Sequence, residues 1–296
     1  MMRSPSSMAV AVRRADGSVA MMERPFISIT RKIKVLGWPF LRGAVSLFET
    51  LYLGMTALQF SADEASKDEE GNPPVSGMAQ NLIQIVSMVF ALGLGVMLFV
   101  VLPAKVTEWL GFHGRIAFGL VDGFFRLMAF MLYLTLISQW KEMARVLGYH
   151  GAEHKAIHAL ENRAPLTPES VQSFSRFHPR CGTSFLFLVV VVSIVVFTFI
   201  GKPRGIGDHL LRVAAMPVIV GVAFEFIRLS GKYADRPLVR ALIWPGMQFQ
   251  RLTTREPDLT MCAVAIAALE RVRSDEVVRR LETAPADTRT EVAFIQ

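Results

Sequence analysis

The hydrophobic and polar positions of this chain divide it into long apolar runs separated by charged loops. Four of the runs approach the roughly 20 residues that a helix needs to cross the hydrocarbon core of a bilayer. The third run, "SFLFLVVVVSIVVFTFIG", contains no charged residue. The pattern predicts an all-α polytopic membrane protein with about four transmembrane helices. The predicted spans are residues 82–103, 117–139, 184–201 and 207–229.

Two of the predicted spans carry ionisable residues. Asp122 and Arg126 lie four positions apart in the second span, and Glu225 and Arg228 lie three apart in the fourth. Both spacings allow ion pairing along one helix face, and charged side chains within a bilayer face the interior of a helix bundle. All four residues are therefore candidates for an intramembrane functional site. Pairs that only neutralise each other are the alternative.

The segments outside the spans carry weaker patterns. The N-terminal residues alternate around Asp16-Gly17, a dipeptide that favours a tight hairpin turn. Residues 35–60 are apolar but interrupted by Pro39 and Gly43, which predicts an interfacial or re-entrant helix, with a fifth span as the alternative. The predicted organisation is a hairpin (1–34), an interfacial or re-entrant helix (35–60), an acidic linker (61–81), a transmembrane bundle (82–229) that includes a loop (140–183), a C-terminal amphipathic and helical segment (230–284) and a disordered tail (285–296).

Composition and charge predict where the protein lies in the cell and which loops face the cytoplasm. The 296 residues are 52% hydrophobic, with a mean hydropathy of +0.39 and a net charge of +7. Residues 1–83, 140–183 and 230–296 carry 9, 6 and 10 Lys and Arg, whereas 104–116 and 202–206 carry 2 each. The positive-inside rule then predicts a multi-pass protein of the cell inner membrane with both termini and the 140–183 loop in the cytoplasm. The bilayer is the expected partner, other membrane proteins are further candidates, and no nucleic-acid-binding module is present in the pattern.

The strongest chemical pattern, "YHGAEHKAIHALE" at residues 149–161, lies in that loop. On a helix of about 100° per residue, the three histidines of this string project from one face together with two glutamates. One ion cannot bind both ends of the histidine row, because eight residues rise about 12 Å and a metal-to-nitrogen bond is about 2.1 Å. The residues concerned are His150, Glu153, His154, His158 and Glu161.

Two histidine pairs are therefore possible. The string "HGAEH" matches the inverted zincin pattern, in which His150 and His154 bind zinc and Glu153 activates a water as the catalytic base. Gly148 and Gly151 weaken a helix by about 1 kcal/mol each, so a helix that begins only near Ala152 would favour His154 with His158 instead.

A second group of metal-binding side chains lies in "SRFHPRCGTSF", directly before the third span. His178 and Cys181 offer an imidazole and a thiolate, a ligand set that suits zinc. A helical hairpin that turns at residues 163–170 would bring both residues beside the histidine face. Interfacial polar anchoring is the alternative role for the histidines, and for Cys181 the alternatives are a small buried residue or a Cys-His nucleophile.

Several strings carry a family resemblance. "YHGAEHKAIHALE", "HPRCGTSFL", "FEFIRLSGK" and "QRLTTREPD" resemble the signature stretches of the YqhQ-like family of bacterial membrane proteins, in order over most of the chain to about residue 272. The resemblance implies a multi-spanning membrane protein, and its family is commonly described as predicted metal-dependent enzymes without an established reaction.

Two functions follow from these patterns. In the first, three protein ligands hold zinc, and Glu153 serves as general base for a hydrolase at the cytoplasmic membrane face. In the second, four protein ligands close a structural zinc site, and the protein is a non-enzymatic scaffold or chaperone for other membrane proteins. The hydrolase is favoured, because a glutamate next to a ligand histidine has no purpose in a structural site.

Overall fold

Among the residues that the structure describes, four helical segments are long and apolar enough to cross a membrane. The computed structural model describes residues 1–4, 6–65, 78–179, 181–203, 205–233 and 236–273. Within these residues, the four membrane-spanning candidates coincide with the four predicted spans, so the predicted fold class is confirmed. They are Ile85–Trp109, Arg115–Ile137, Gly182–Ile200 and Ile206–Ser230.

Three short strands precede a succession of helices in the described part of the chain. The strands are β1 (Met2–Arg3), β2 (Ser7–Arg13) and β3 (Val19–Pro25). The helices are α1 (Ile29–Lys32), α2 (Leu41–Ala65), α3 (Met78–Val96), α4 (Leu102–Trp109), α5 (Arg115–Ile137), α6 (Lys141–Glu161), α7 (Pro168–Gln172), α8 (Gly182–Ile200), α9 (Ile206–Ala214), α10 (Met216–Lys232), α11 (Pro237–Thr253) and α12 (Leu259–Val272).

Two of the spans are interrupted helices. The first joins α3 to α4 through a π-helical segment, Met97–Val101, and Pro103 follows at the start of α4. The fourth joins α9 to α10 at Ala215, and Pro217 lies in the first turn of α10. Proline has no backbone N–H to donate, so each break lies where the helical hydrogen-bond ladder loses a donor.

The N-terminal segment forms a small antiparallel sheet. The predicted hairpin is β2 paired with β3, in a register that sets Ser7 opposite Pro25 and Arg13 opposite Val19. Its turn contains Gly17 at a φ of 86°, a conformation that glycine adopts without steric cost. Strand β1 adds a third strand at the free edge of β2.

Helix α2 lies along this sheet and is not among the four membrane-spanning candidates. One face carries Glu49 and Glu64, which are both buried and paired with Arg3 and Arg14 of the sheet. The opposite face exposes large apolar side chains, among them Phe48, Leu51, Tyr52 and Met55. A helix with one polar, partnered face and one exposed apolar face is typical of the membrane interface.

The sheet, α6 and α12 share a core of small residues. Ala152, Ala156 and Ala159 of α6 pack against Cys262 and Ala265 of α12. The core also includes Met2 and Ala9 of the sheet. The predicted C-terminal helix therefore packs against the histidine-bearing helix, on the same side of the bundle as the N-terminal sheet.

Some predicted segments differ or fall outside the described part of the chain. The predicted linker begins inside α2, which continues to Ala65, and α3 begins at Met78; residues 66–77 lie outside the described residues. The same holds for the predicted tail, 285–296, and for residues 274–284 of the C-terminal segment.

Candidate metal centre

Helix α6 presents the histidine row on one continuous helix. It begins at Lys141, so the alternative start near Ala152 is wrong. A Cβ atom at Gly151 would collide with the carbonyl oxygen of Arg255, and one at Gly148 would lie 2.9 Å from the sulfur of Met261. The two glycines thus allow close packing of α6 against the α11–α12 connection, and this packing outweighs their low helix propensity.

The structure brings His150, His154 and Cys181 together, and we call this group the Cys181 triad. One potential ligand atom from each residue lies within 4.8 Å of the other two. The sulfur of Cys181 lies 3.4 Å from Nε2 of His150, and the two imidazole rings have centroids 4.4 Å apart. Cys181 and His154 are fully buried, because the loop after α7 folds back against α6.

Backbone carbonyl groups orient both imidazoles of the Cys181 triad. Nδ1 of His150 lies 2.7 Å from the carbonyl oxygen of Thr253, and Nδ1 of His154 lies 2.6 Å from that of Arg176. A carbonyl oxygen only accepts, so Nδ1 is the donor in each ring and a neutral imidazole keeps its lone pair on Nε2. Nε2 of His154 is buried and has no hydrogen-bond partner among the described residues. Histidine ligands of metals commonly use this arrangement.

The electrostatics of the triad favour a thiolate. Burial alone would raise the pKa of Cys181, but its interactions with the imidazoles of His150 and His154 hold the pKa well below the ordinary value. Burial alone would lower the pKa of His150, but the hydrogen bond to Cys181 and the charges of Cys181 and Glu153 raise it to about 9. Cys181 also caps the N-terminus of α8, where the helix dipole favours negative charge. A thiolate is the form of cysteine that binds metals.

A second group, His158, Glu161 and His178, lies beside the first, and we call it the Glu161 triad. Its potential ligand atoms also lie within 4.8 Å of one another. Nε2 of His178 is 3.4 Å from Oε2 of Glu161, and the rings of His158 and His178 have centroids 4.7 Å apart. The sequence prediction treated four histidines and Cys181 as one constellation, whereas the structure divides them into two groups. The four are His150, His154, His158 and His178.

In each triad, one pair of potential ligand atoms has the separation expected for two ligands of a tetrahedral ion. Two nitrogen or oxygen atoms about 2.1 Å from an ion, at a tetrahedral angle, lie about 3.4 Å apart, and a sulfur with a nitrogen about 3.6 Å apart. The observed separations are 3.4 Å between His178 and Glu161 and 3.4 Å between Cys181 and His150. One pair in each triad therefore already has ligand spacing, and the third potential ligand atom lies within 4.8 Å of both.

A cavity of about 1210 Å³ adjoins the Cys181 triad. His150 and Glu153 of α6 line it, together with apolar residues of β2, α2 and α12 such as Val10, Leu58 and Val264. Glu153 is one quarter exposed, and its Oε1 accepts a hydrogen bond from the backbone nitrogen of Met1. The predicted catalytic carboxylate thus lines the cavity next to His150 and belongs to neither triad.

The sequence patterns did not single out several residues that support the two triads. Lys155 is buried in α6 and donates to the carbonyl oxygens of Gln172 and Phe174, each at 2.7 Å. Gln250 accepts from the backbone N–H of His178 at 2.8 Å and donates to its carbonyl oxygen at 2.6 Å. Gln250 and Thr253 lie in "QRLTTREPD", so the family resemblance was the available signal.

Comparisons with known proteins define the family of this chain. Residues 38–275 match the family model described as "Protein of unknown function (DUF1385)". The chain belongs to the DUF1385 family. It is 30% identical over 290 residues to the "Uncharacterized protein YqhQ" of Bacillus subtilis (strain 168), a match that covers 93% of this chain and 90% of that protein. No solved structure matches the chain.

In this DUF1385 protein, the charged residues of the second span form a buried cluster. Oδ2 of Asp122 accepts hydrogen bonds from Arg126 at 2.9 Å and from Arg212 of α9 at 3.4 Å. Arg126 also donates to Ser193 of α8 at 3.2 Å, and Arg212 donates to the carbonyl oxygen of Gly201 at 2.8 Å. The cluster therefore connects three helices, and Arg212 is a member that the predicted pair did not include.

Glu225 of the fourth span has a different partner from the one that its spacing suggested. Oε1 of Glu225 accepts from Nε of Arg42 in α2 at 2.6 Å, and Oε2 accepts from the second guanidinium nitrogen. Arg228 lies within electrostatic range of Glu225. Both intramembrane sites are separate from the two triads of the metal centre.

Proposed function

We propose that this DUF1385 protein is a membrane-bound, metal-dependent hydrolase whose ion is held by the Cys181 triad. The observation that supports this most directly is the imidazole of His154. Its Nε2 atom is buried beside the sulfur of Cys181 and a second imidazole, and it has no hydrogen-bond partner among the described residues. A buried polar atom without a partner costs about 1–3 kcal/mol, and a metal ion would remove that cost.

The donor set favours zinc. One thiolate and two imidazoles combine soft and borderline ligands, which magnesium and calcium do not select. Three protein ligands also leave one corner of a tetrahedral ion for water or substrate, as in catalytic rather than structural zinc sites. This is the reason to prefer an enzyme over a structural site at these three residues.

The cavity beside His150 supports access for a substrate that is associated with the membrane. Its lining is mixed, with Arg13, Arg14 and Arg145 as well as apolar residues of β2, α2 and α12. Helix α2, which exposes an apolar face on its other side, forms one wall. An amphiphilic substrate therefore fits the chemistry of the wall better than a fully polar one.

Each residue near the proposed ion would have its own role in the reaction. A bound zinc ion would supply Lewis acidity and lower the pKa of water. The carboxylate of Glu153, which lines the cavity next to His150, would accept the proton of the attacking water at Oε1 or Oε2. The carbonyl groups of Thr253 and Arg176 would keep the two imidazoles in their ligating orientation. We further propose, from the Lys and Arg distribution, that this chemistry takes place at the cytoplasmic face of the inner membrane.

A pair of neighbouring substitutions tests the proposal. His154→Ala removes a ligand and should lower the metal content of the purified, full-length protein and abolish complementation of a strain that lacks the gene. Glu153→Gln keeps the shape of the side chain but removes the proton acceptor, so metal content should stay at the wild-type level while complementation is lost. Glu270→Gln, on the exposed side of α12, is the matched control for the charge change.

The outcomes separate catalysis from a structural site. Full complementation by Glu153→Gln, together with loss of complementation by His154→Ala, would contradict the hydrolase and favour the structural zinc. Purified wild-type protein that contains no transition metal, when prepared without chelators, would contradict the metal site itself. Elemental analysis and the growth of complemented strains are the two measurements.

A further inference from the structure

The Glu161 triad has the composition of a metal site in its own right. It combines two imidazoles with one carboxylate, and the His178 side chain is buried to 1% exposure. We infer that the triad binds a second divalent metal ion, distinct from the ion of the proposed active site. The inference extends the proposed function, but the Glu161 triad shares no residue with the Cys181 triad.

One ion cannot serve both triads. The two ligand pairs that α6 supplies, His150 with His154 and His158 with Glu161, have midpoints about 11 Å apart along the helix at about 1.5 Å per residue. Ions that share a bridging ligand lie about 3.5–4 Å apart, so we infer two independent ions and not a bridged pair.

The orientation of the side chains supports ligation at the second site. Nε2 of His158 lies 2.9 Å from the carbonyl oxygen of Phe177, so a neutral His158 has its lone pair on Nδ1. The backbone of His178 is held on both sides by the buried amide of Gln250. The carboxylate of Glu161 is 15% exposed and lies 3.4 Å from Nε2 of His178. Hydrogen bonds to backbone carbonyl groups and amides commonly orient histidines that bind metals, and the histidines of this triad have such bonds.

The chemistry of the donors predicts which ions bind. Nitrogen and carboxylate ligands without sulfur suit zinc and also manganese, iron and cobalt. The thiolate of the first site restricts that site to metals that bind sulfur well, such as zinc. The Glu161 triad does not line the cavity beside His150. Its ion would connect α6 to the segment that precedes α8, and that segment ends in Cys181. We therefore assign the second ion a structural role, which is to fasten that segment to α6 without taking part in the Cys181 triad.

Cobalt(II) is the probe that distinguishes the two sites, because only the first has a sulfur ligand. The full-length protein in detergent, freed of metal with a chelator, should bind about two cobalt ions per chain, one of them with a sulfur-to-cobalt charge-transfer band in the near ultraviolet. Glu161→Gln should reduce binding to about one ion and keep the charge-transfer band. Cys181→Ser should also reduce binding to about one ion, but should lose the band.

Two further variants and a folding measurement complete the design. His158→Gln should repeat the result of Glu161→Gln. Glu169→Gln, an exposed position in α7 within the same loop, should bind as the wild type does. Circular dichroism of each metal-free variant shows whether the variant is folded, so that loss of a ligand can be distinguished from loss of the fold.

Each result decides between the two sites. Binding of about one ion to the wild type, unchanged in Glu161→Gln, would overturn the second site and leave the Glu161 triad as a hydrogen-bonded cluster. Loss of all binding in both single variants would also overturn it, in favour of one shared site. A third result is also possible: the wild type binds cobalt without a charge-transfer band, and Glu161→Gln loses this binding. That result would uphold the second site and refute the ion of the proposed active site.

Discussion

Gly151 is the residue at which α6 and the α11–α12 connection come closest. The carbonyl oxygen of Arg255 occupies the position where a Cβ atom would lie, and the N–H of Arg255 donates to the carbonyl oxygen of Leu147 at 2.9 Å. Thr253, two residues before Arg255, orients His150 through its carbonyl oxygen. The glycine therefore keeps both the helix packing and a ligand imidazole in place.

We predict that Gly151→Ala destabilises the protein by about 1–3 kcal/mol, as is typical when a methyl group is forced into a packed contact. The same substitution should lower metal content, because Thr253 would move away from His150. Gly54→Ala in α2 is the control, since no atom lies within 4 Å of the added methyl group. It should be neutral or stabilise by up to about 1 kcal/mol. Thermal unfolding in detergent and elemental analysis test both. An increase in melting temperature for both variants would contradict the close contact.

Side-chain identity alone could not divide the metal-binding residues into two triads. The histidine spacing placed His150, His154 and His158 on one helix face, and the structure agrees. The partners of these residues come from the segment 173–181 and from the end of α11, up to 103 residues away. That division depends on how the loop folds, and helical periodicity contains no information about it. Glu161 projected from the predicted face, but its pairing with His178 was not foreseen.

Among the helices, α2 shows how a polar face determines position. The Glu49 carboxylate accepts from Ser28 at 2.9 Å and from the N–H of Ile29 at 2.6 Å, and it pairs with Arg3. At the start of α2, Arg42 pairs with Glu225 of α10, where the two side chains are 24% and 15% exposed. These contacts hold the polar face of α2 against protein and leave its apolar face outward.

We predict that Arg42→Met and Glu225→Gln each lower the free energy of unfolding by about 1–3 kcal/mol, since each leaves a half-buried charge without its partner. The double variant should lose less than the sum of the two single losses. Lys105→Met, in an exposed pair with Glu108, is the control and should change stability by less than about 0.5 kcal/mol. Additive losses in the double variant would mean that Arg42 and Glu225 do not interact.

The spans were more predictable than the contacts between them. Bilayer-length apolar helices are encoded by local hydropathy, and all four predicted spans overlap those of the structure, with ends that differ by at most six residues. Glu225 was matched with Arg228 because only helical neighbours can be read from spacing, whereas its partner Arg42 lies 183 residues away. For the same reason Arg212 was absent from the predicted Asp122 pair. Pairing across helices depends on the bundle, which a single sequence does not describe.

At the scale of the whole molecule, the described residues divide between the two ends of the bundle. The sheet, α6 and α12 pack into one core at one end. At the other end, Lys202 after α8 pairs with Glu108 of α4 at 2.9 Å, and Arg115 at the start of α5 donates to the carbonyl oxygen of Phe199. Both triads therefore lie on the same side as the N-terminal sheet. The orientation of the protein in the membrane therefore decides on which face the proposed chemistry takes place.

We predict that the triads face the cytoplasm, because the residues on that side carry most of the Lys and Arg. The test uses single cysteines in a Cys262→Ala background that keeps Cys181, which is fully buried. Glu169→Cys in α7 reports on the triad side, and His113→Cys in the exposed α4–α5 loop reports on the opposite side. In intact cells, a membrane-impermeant maleimide should label His113→Cys and leave Glu169→Cys unlabelled until the cells are permeabilised. The background without an added cysteine measures residual labelling of Cys181. The reverse pattern would move the metal centre to the outer face, where the proposed hydrolase would meet a different set of substrates.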